Sequence, residues 1–278
     1  MTLIRNTYGK ARVRVLRVKK DGARHEVREL TVQAMITGDF DASYVSADNA
    51  KMICTDTVKN LVNVVARENL GLDTENFCAA LAEKLLSTYP QVASATVIGQ
   101  ETKWDRLSFN GAPHPHAFAL DGNGTPFSEV RATRNGLETV SGVTGYTFMK
   151  TTDSAWDNFY TDPYTTLQET RDRICATAMD ARWTWAREPD DYATANAKIL
   201  HTLIEVFATT FSESVQDSLY RMGEAALAQV PEIAQISLAC PNKHYIPLNL
   251  EVFGLDNENV VFLPTDEPHG QIECTVGR

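Results

Sequence analysis

This 278-residue chain contains no run approaching the roughly 18 apolar residues of a membrane-spanning helix. Its N-terminus lacks the apolar core of a signal peptide, and its last residues, Thr275-Val276-Gly277-Arg278, are not a Ser-Lys-Leu peroxisomal address. The expectation is a cytoplasmic protein that does not enter the membrane. The five cysteines (Cys54, Cys78, Cys175, Cys240, Cys274) are odd in number and scattered, with no C-x-x-C. That usage fits reduced thiols and argues against a disulfide framework or a structural zinc site. No basic block interrupts a formal net charge of −10, so a nucleic-acid backbone is not an expected partner. G-x-G-x-x-G, P-loop, G-x-S-x-G and H-E-x-x-H motifs are all missing, which removes the common nucleotide, hydrolase and zinc-protease readings.

What is present is an ordinary globular composition, 43% hydrophobic and 22% charged, long enough for one large or two ordinary domains with a self-sufficient core. Alternation around Val13, Val15 and Val18, an Asp21-Gly22 turn and a strand over 25–37 predict an opening hairpin. Helical spacing then begins at Asp56 (Val58, Leu61, Val62, Val65), with Thr55 or Asp56 as N-cap. A second helix starts near Asp73-Thr74, carries Phe77, Leu81 and Leu85, and stops at Tyr89-Pro90. Residues 92–109 and 115–120 read as strands. The second half repeats this order without residue-level similarity. Strands are expected over 137–150 and 178–187, flanking a polar stretch with a short helix at 165–170. Two helices follow, one with Ile199, Leu203, Val206 and Phe207, the other capped near Ser212 or Ser214. Strands at 233–240 and 244–252 and a mostly loop-like tail, with weak strand character near 260–263 and 271–276, complete it. The reading is α+β, two ββααββ repeats over residues 1–136 and 137–278, with antiparallel sheet and helices on one face. The uncovered sheet face makes an oligomer expected.

Several residues admit a chemical reading beside a structural one. Pro241-Asn242-Lys243-His244-Tyr245 lies between two apolar, strand-like runs. On spacing alone it reads as a hairpin turn; read as strand, Asn242 and His244 share a face and could floor a pocket. Lys10, in Tyr8-Gly9-Lys10, is either a solvated charge or a proton acceptor tuned by burial. Thr55-Asp56-Thr57 and Val215-Gln216 each open a helix, where exposed amides can cap locally or bind an anion. Two such helix starts facing one cleft would favour a planar anion. Arg173 would ordinarily pair with acidic neighbours in its charged run, but its fork suits bidentate recognition of an anionic edge. Trp156 is a stacking surface or core area. His114-Pro115-His116 has no nearby cysteine or third ligand, so no metal site is expected there.

Together these segments resemble the urate oxidase (uricase) family. The resemblance rests on Tyr8-Gly9-Lys10, Thr55 through Asn60, Ser141-Gly142, Lys150-Thr151-Thr152, Tyr164 through Ile174 and Trp183. It continues through Ser214-Val215-Gln216, Pro241 through Tyr245 and the final Cys274 through Arg278, in family order. It implies a tunnelling fold (T-fold) of two ββααββ repeats that assembles as a homotetramer around a β-barrel tunnel, with active sites at subunit interfaces. The implied reaction converts urate, dioxygen and water to 5-hydroxyisourate and hydrogen peroxide, without metal or organic cofactor. Lys10, Thr55 and His244 would form a proton relay. Arg173 and Gln216 would grip the purine edges, the backbone amides of Asp56 and Val215 would meet its five-membered ring, and Asn242 would lie above it. Lys10, Thr55 and Asp56 would come from one subunit and the rest from its neighbour. Trp156 departs from the family, which usually has phenylalanine there as the stacking residue. Two other readings are a T-fold protein that binds a purine or pterin without oxidising it, and a metal-dependent hydrolase using His114 and His116.

Overall fold

Two long strands, β1 (Tyr8–Asp21) and β2 (Arg24–Gly38), form the expected hairpin, with Gly22 taking the left-handed turn at φ +56. In a computed structural model, which describes residues 1–71 and 73–278, the chain divides into two units, Met1–Gly142 and Val143–Arg278. Among the described residues, no helix is long and apolar enough to cross a membrane.

The first unit continues with α1 (Asp41–Ser46), α2 (Thr55–Glu68), α3 (Thr74–Thr88), β3 (Val92–Phe109), β4 (Ala112–Asp121) and β5 (Thr125–Thr133). Strands β1-β2-β3-β5 lie side by side, all antiparallel, and β4 pairs only with the distal end of β3. Along β2, Leu30, Val32, Ala34 and Ile36 are fully buried while Thr31, Gln33, Met35 and Thr37 stay partly exposed. The period-two pattern thus gives the sheet one covered face. Helix α2 covers it with Val58, Val62 and Val65, spaced by four and three residues, and α3 with Phe77, Leu81 and Leu85. Each such side chain contributes about 1.5–3 kcal/mol on burial. Asp73 caps α3 by accepting a hydrogen bond from the Asn76 amide at 2.9 Å.

The second unit takes over within β6 (Gly136–Lys150) and adds β7 (Cys175–Trp185), α4 (Tyr192–Thr209), α5 (Val215–Gln229), β8 (Ile233–Pro247) and β9 (Phe262–Gly277). Its strand order is β6-β7-β8-β9, so this half is a plain ββααββ unit. It has its own core, built from Ile199, Leu203 and Phe207 of α4, Leu219 and Met222 of α5, and Met179, Ile236 and Leu238 of the sheet. Helix α5 approaches β9 so closely that a Cβ on Gly223 would lie 2.7 Å from Val276 Cγ2.

Six details differ from the sequence reading. Helix α1 was not expected, and it buries none of its residues, so it leaves no apolar period to read. Strand β5 was not expected either: its buried positions are the small Ser128 and Ala132 and a single Val130, interrupted by charged Glu129 and Arg131. The predicted strands 233–240 and 244–252 are one strand ending at Pro247, and the tail is a single 16-residue strand rather than loop. Residues 165–170 are not helical. Asp162 and Thr165 close a turn there, Leu167 points to solvent, and Thr170 pairs with Trp156. Finally, the N-cap of α2 is Cys54, whose side chain makes no capping bond, rather than Thr55 or Asp56.

Candidate active site

Lys10, Thr55 and Asp56 belong to the first unit. Lys10 lies on β1 opposite Ala34 of β2, at the edge of a β-bulge that extends to Val13 and places Arg12 at φ 58. Beside it, β1 runs against β2 with no room for a Cβ at Gly9, which would sit 1.9 Å from the Ala34 carbonyl oxygen. The strand register therefore fixes the backbone from which Lys10 projects. The Ile53 amide donates to the Tyr8 hydroxyl at 2.8 Å, tying the segment before α2 to the strand carrying Lys10. Thr55 is the first residue of α2 and half-buried; Asp56 is exposed. The Asp56 carboxylate turns along the helix to Lys59, with Asn60 3.4 Å away. The hydrogen bond from Lys59, with a smaller attraction from Lys10, holds the Asp56 carboxyl below its usual range. With Cys54 making no side-chain cap and Asp56 facing Lys59, the first turn of α2 has no capping side chain over its amides.

The second unit holds the other six. Trp156 and Thr170 exchange backbone hydrogen bonds of 2.7 and 3.0 Å, and the Trp156 indole stacks on Phe159 with centroids 5.6 Å apart and planes at 15°. Arg173 is anchored through its amide to the Ser154 carbonyl at 3.1 Å. Burial presses its pKa below the ordinary arginine value, its Nε has no hydrogen-bond partner, and it makes no ion pair among the described residues. The surface pairing expected of arginines in this run falls instead to Arg171, which binds Asp157 and Glu213. Val215 opens α5 and is buried, Gln216 follows it into solvent, and Ser214 caps the helix through the Asp217 amide at 3.0 Å.

Asn242 and His244 sit inside β8. The turn reading of Pro241 through Tyr245 is therefore overturned, because Asn242 pairs with Thr177 of β7 and Gly270 of β9. The irregularity falls on β9, whose partners jump from Gly270 to Thr265 around residues 266–269, so β8 runs on through the motif. Lys243 points to Asp266 in that excursion, 3.0 Å away, while His244 is exposed. Asn242 and Val215 line one small cavity with Thr177, Phe148, Phe207 and Met222.

Buried polar atoms without partners in these segments are Arg173 Nε, Ser154 Oγ and Asp217 Oδ2. Protein interiors rarely leave such groups unpaired; Asn6 Oδ1, Arg17 Nε and Nη2 and Ser128 Oγ in the first unit are likewise without partners. No spacing signal in the sequence singles out Ser154. The His114-Pro115-His116 pair lies elsewhere in the first unit, its rings 4.7 Å apart with His25 5.7 Å from His116. Among the described residues, no group of three histidine, cysteine or acidic side chains is arranged to hold a metal ion.

Two ββααββ halves, each with chemistry-bearing residues at a helix start, define a tunnelling-fold protein. A family model described as uricase matches residues 6–131 and 139–273. The uricase of Arthrobacter globiformis is 37% identical over 278 residues, spanning 100% of this chain and 90% of that protein. The rabbit (Oryctolagus cuniculus) uricase is 36% identical, spanning 99% and 94%. The crystal structure of the Arthrobacter globiformis uricase superposes with a TM-score of 0.95 at 37% identity, covering 100% of this chain and 95% of that one. The Bacillus sp. TB-90 urate oxidase shares the fold at a TM-score of 0.86 and 22% identity, covering 98% and 99%. The chain belongs to the uricase family.

Proposed function

We propose that this uricase-family oxidoreductase converts urate, dioxygen and water to 5-hydroxyisourate and hydrogen peroxide, without metal or organic cofactor. The observation that carries the reading is that the family match runs through both halves, together with Lys10 and Thr55 beside an uncapped helix start and Arg173 held unpaired.

Arg173 and Gln216 bind the two edges of the purine, the arginine as a charged fork and the glutamine through its amide donor and acceptor. The backbone amides of Asp56 and Val215, each in the first turn of a helix, receive the anionic five-membered-ring side. Trp156 stacks against the ring. Lys10, through Thr55 and with His244, removes a proton from urate, which makes the ring electron-rich enough to reduce dioxygen directly, the task a cofactor usually performs. Two electrons pass to dioxygen, which takes up two protons and leaves as hydrogen peroxide. The same relay deprotonates a water held beside Asn242, and that oxygen becomes the 5-hydroxyl group. Lys10, Thr55 and Asp56 of one subunit serve the same site as Trp156, Arg173, Val215, Gln216, Asn242 and His244 of a neighbour, in a homotetramer enclosing a β-barrel tunnel. The partly exposed sheet face marked by Gln33, Met35 and Thr37 supports such a partner.

The test mixes protein treated exhaustively with chelator with urate in air and follows loss of urate absorbance alongside peroxide. Undiminished turnover with equimolar peroxide is expected. Activity that vanishes on chelation and returns with a divalent metal would overturn the cofactor-free reaction. Tight urate binding without turnover would favour a non-catalytic purine-binding protein.

A further inference from the structure

Three segments of the second unit, distant in sequence, carry most of the residues assigned to purine contact, with Asn242 on β8 apart from them: the loop with Trp156, the run with Arg173, and the start of α5 with Val215 and Gln216. One side chain touches or adjoins all three. Arg171 Nη1 donates to Asp157 Oδ2 at 2.6 Å, next to Trp156. Its Nη2 donates to Glu213 Oε2 at 3.3 Å, two residues before Val215. Its guanidinium also lies 5.3 Å from the centroid of the Phe211 ring. Arg171 itself is flanked by Thr170, which pairs with Trp156, and lies two residues before Arg173.

We propose that Arg171 is a positioning residue for the purine site, a clamp that fixes the Trp156 platform and the α5 start against the segment presenting Arg173. The inference rests on the assignment of those residues to purine binding. Backbone bonds already draw the segments near one another: Ala155 donates to the Ser212 carbonyl at 2.8 Å and Ser212 to the Asp153 carbonyl at 2.9 Å. The side-chain tie sets what these leave free, the rotation of Trp156 and the pitch of the helix start. Arg171 and Glu213 are more than half exposed, so neither ion pair adds much to folding stability. A shared fork nevertheless couples two segments, and a sub-ångström error in a binding constellation is felt in affinity. Lysine, with a single point charge, cannot span both carboxylates in the same way.

The experiment compares Arg171→Gln, Arg171→Lys and the double variant Asp157→Asn/Glu213→Gln, all as full-length enzyme. KM for urate, kcat, affinity for an unreactive purine analogue and the melting transition are measured for each. Arg171→Gln is expected to raise KM and the analogue Kd about 3–10-fold, the scale of two exposed ion pairs lost together. Its kcat should change less than about twofold, with the melting transition nearly unmoved. Arg171→Lys should fall between it and the unaltered enzyme. The double carboxylate variant decides the mechanism. A clamp predicts the same rise in KM, whereas simple attraction of an anionic substrate by Arg171 predicts a fall, because two negative charges are removed. An unchanged KM in Arg171→Gln, or a lowered KM in the double variant, overturns the clamp. Arg173→Ala and Trp156→Ala are measured in parallel. If they leave analogue affinity untouched, the purine-site assignment fails and takes the clamp with it; if they weaken it while Arg171→Gln does not, the clamp alone is wrong.

Discussion

Replacing Trp156 by alanine separates a binding role from a packing role, and the structure sets the size of each. The indole is partly buried and stacked on Phe159 at 5.6 Å. Its removal therefore forfeits one aromatic pair and part of a side-chain area, a stability loss of about 1–3 kcal/mol. A fully buried tryptophan would cost roughly 3–5 kcal/mol. Phe159 occupies one indole face, which leaves the opposite one for the proposed purine stack. Losing that stack weakens substrate binding by about 1–3 kcal/mol, which is roughly a 5- to 150-fold rise in the Kd of an unreactive analogue. Trp156→Phe keeps a π face and should remain active, and neither variant should alter the pH dependence, because the indole has no part in the proton relay. Analogue titration, steady-state KM and thermal melting on the three proteins check this. A large drop in melting temperature with unchanged KM and Kd would refute the stacking role.

Two further outcomes follow from the same site. Lys10→Met and Thr55→Ala should each slow turnover by roughly 10²-fold with little change in analogue binding. In the proposed relay the two act as one unit, so their double variant should cost little more than the worse single; fully additive losses in kcat would separate them. Inactive Lys10→Met and inactive Arg173→Ala chains should partly rescue each other when co-assembled, because some interfaces then combine an intact Lys10 with an intact Arg173. Mixed assemblies proven by mass that stay inactive would place both residues in a site made by a single subunit.

The elements legible in the sequence were those whose apolar side chains are large and periodic. Val58, Val62 and Val65, or Ile199, Leu203 and Phe207, recur at helical spacing because each fills the space over a sheet. Strand β5 escaped because two of its buried positions are Ser128 and Ala132, which fit beneath α3 where larger residues would not be needed. The tail reads as loop with weak strand character near 260–263 and 271–276, and Pro264, Asp266-Glu267, Pro268 and Gly270 interrupt the alternation between those stretches. It is nonetheless a strand, since β8 pairs with it from Gln235 to Asn242 and again from His244 to Pro247, and pairing overrides propensity. The same tertiary pairing converted Pro241 through Tyr245 from an expected turn into the middle of β8.

The site was legible differently, and the reason lies in where its residues sit. Lys10, Thr55, Arg173, Gln216 and His244 carry no periodicity, so each alone reads as an ordinary polar residue; only their joint occurrence in family order gave them roles. The geometry adds a reason independent of that order. A helix start whose N-cap makes no side-chain bond, and a half-buried guanidinium whose Nε finds no partner, are both arrangements that cost stability in the free chain. Arg171, two residues away from Arg173 and of the same chemistry, spends its fork on two carboxylates and is satisfied. Local spacing does not tell these two arginines apart, because the acids that distinguish them, Asp157 and Glu213, lie 14 and 42 residues away. The fold makes the distinction by bringing both acids to Arg171 and neither to Arg173, and the arginine left without an anion is the one that a purine anion can satisfy.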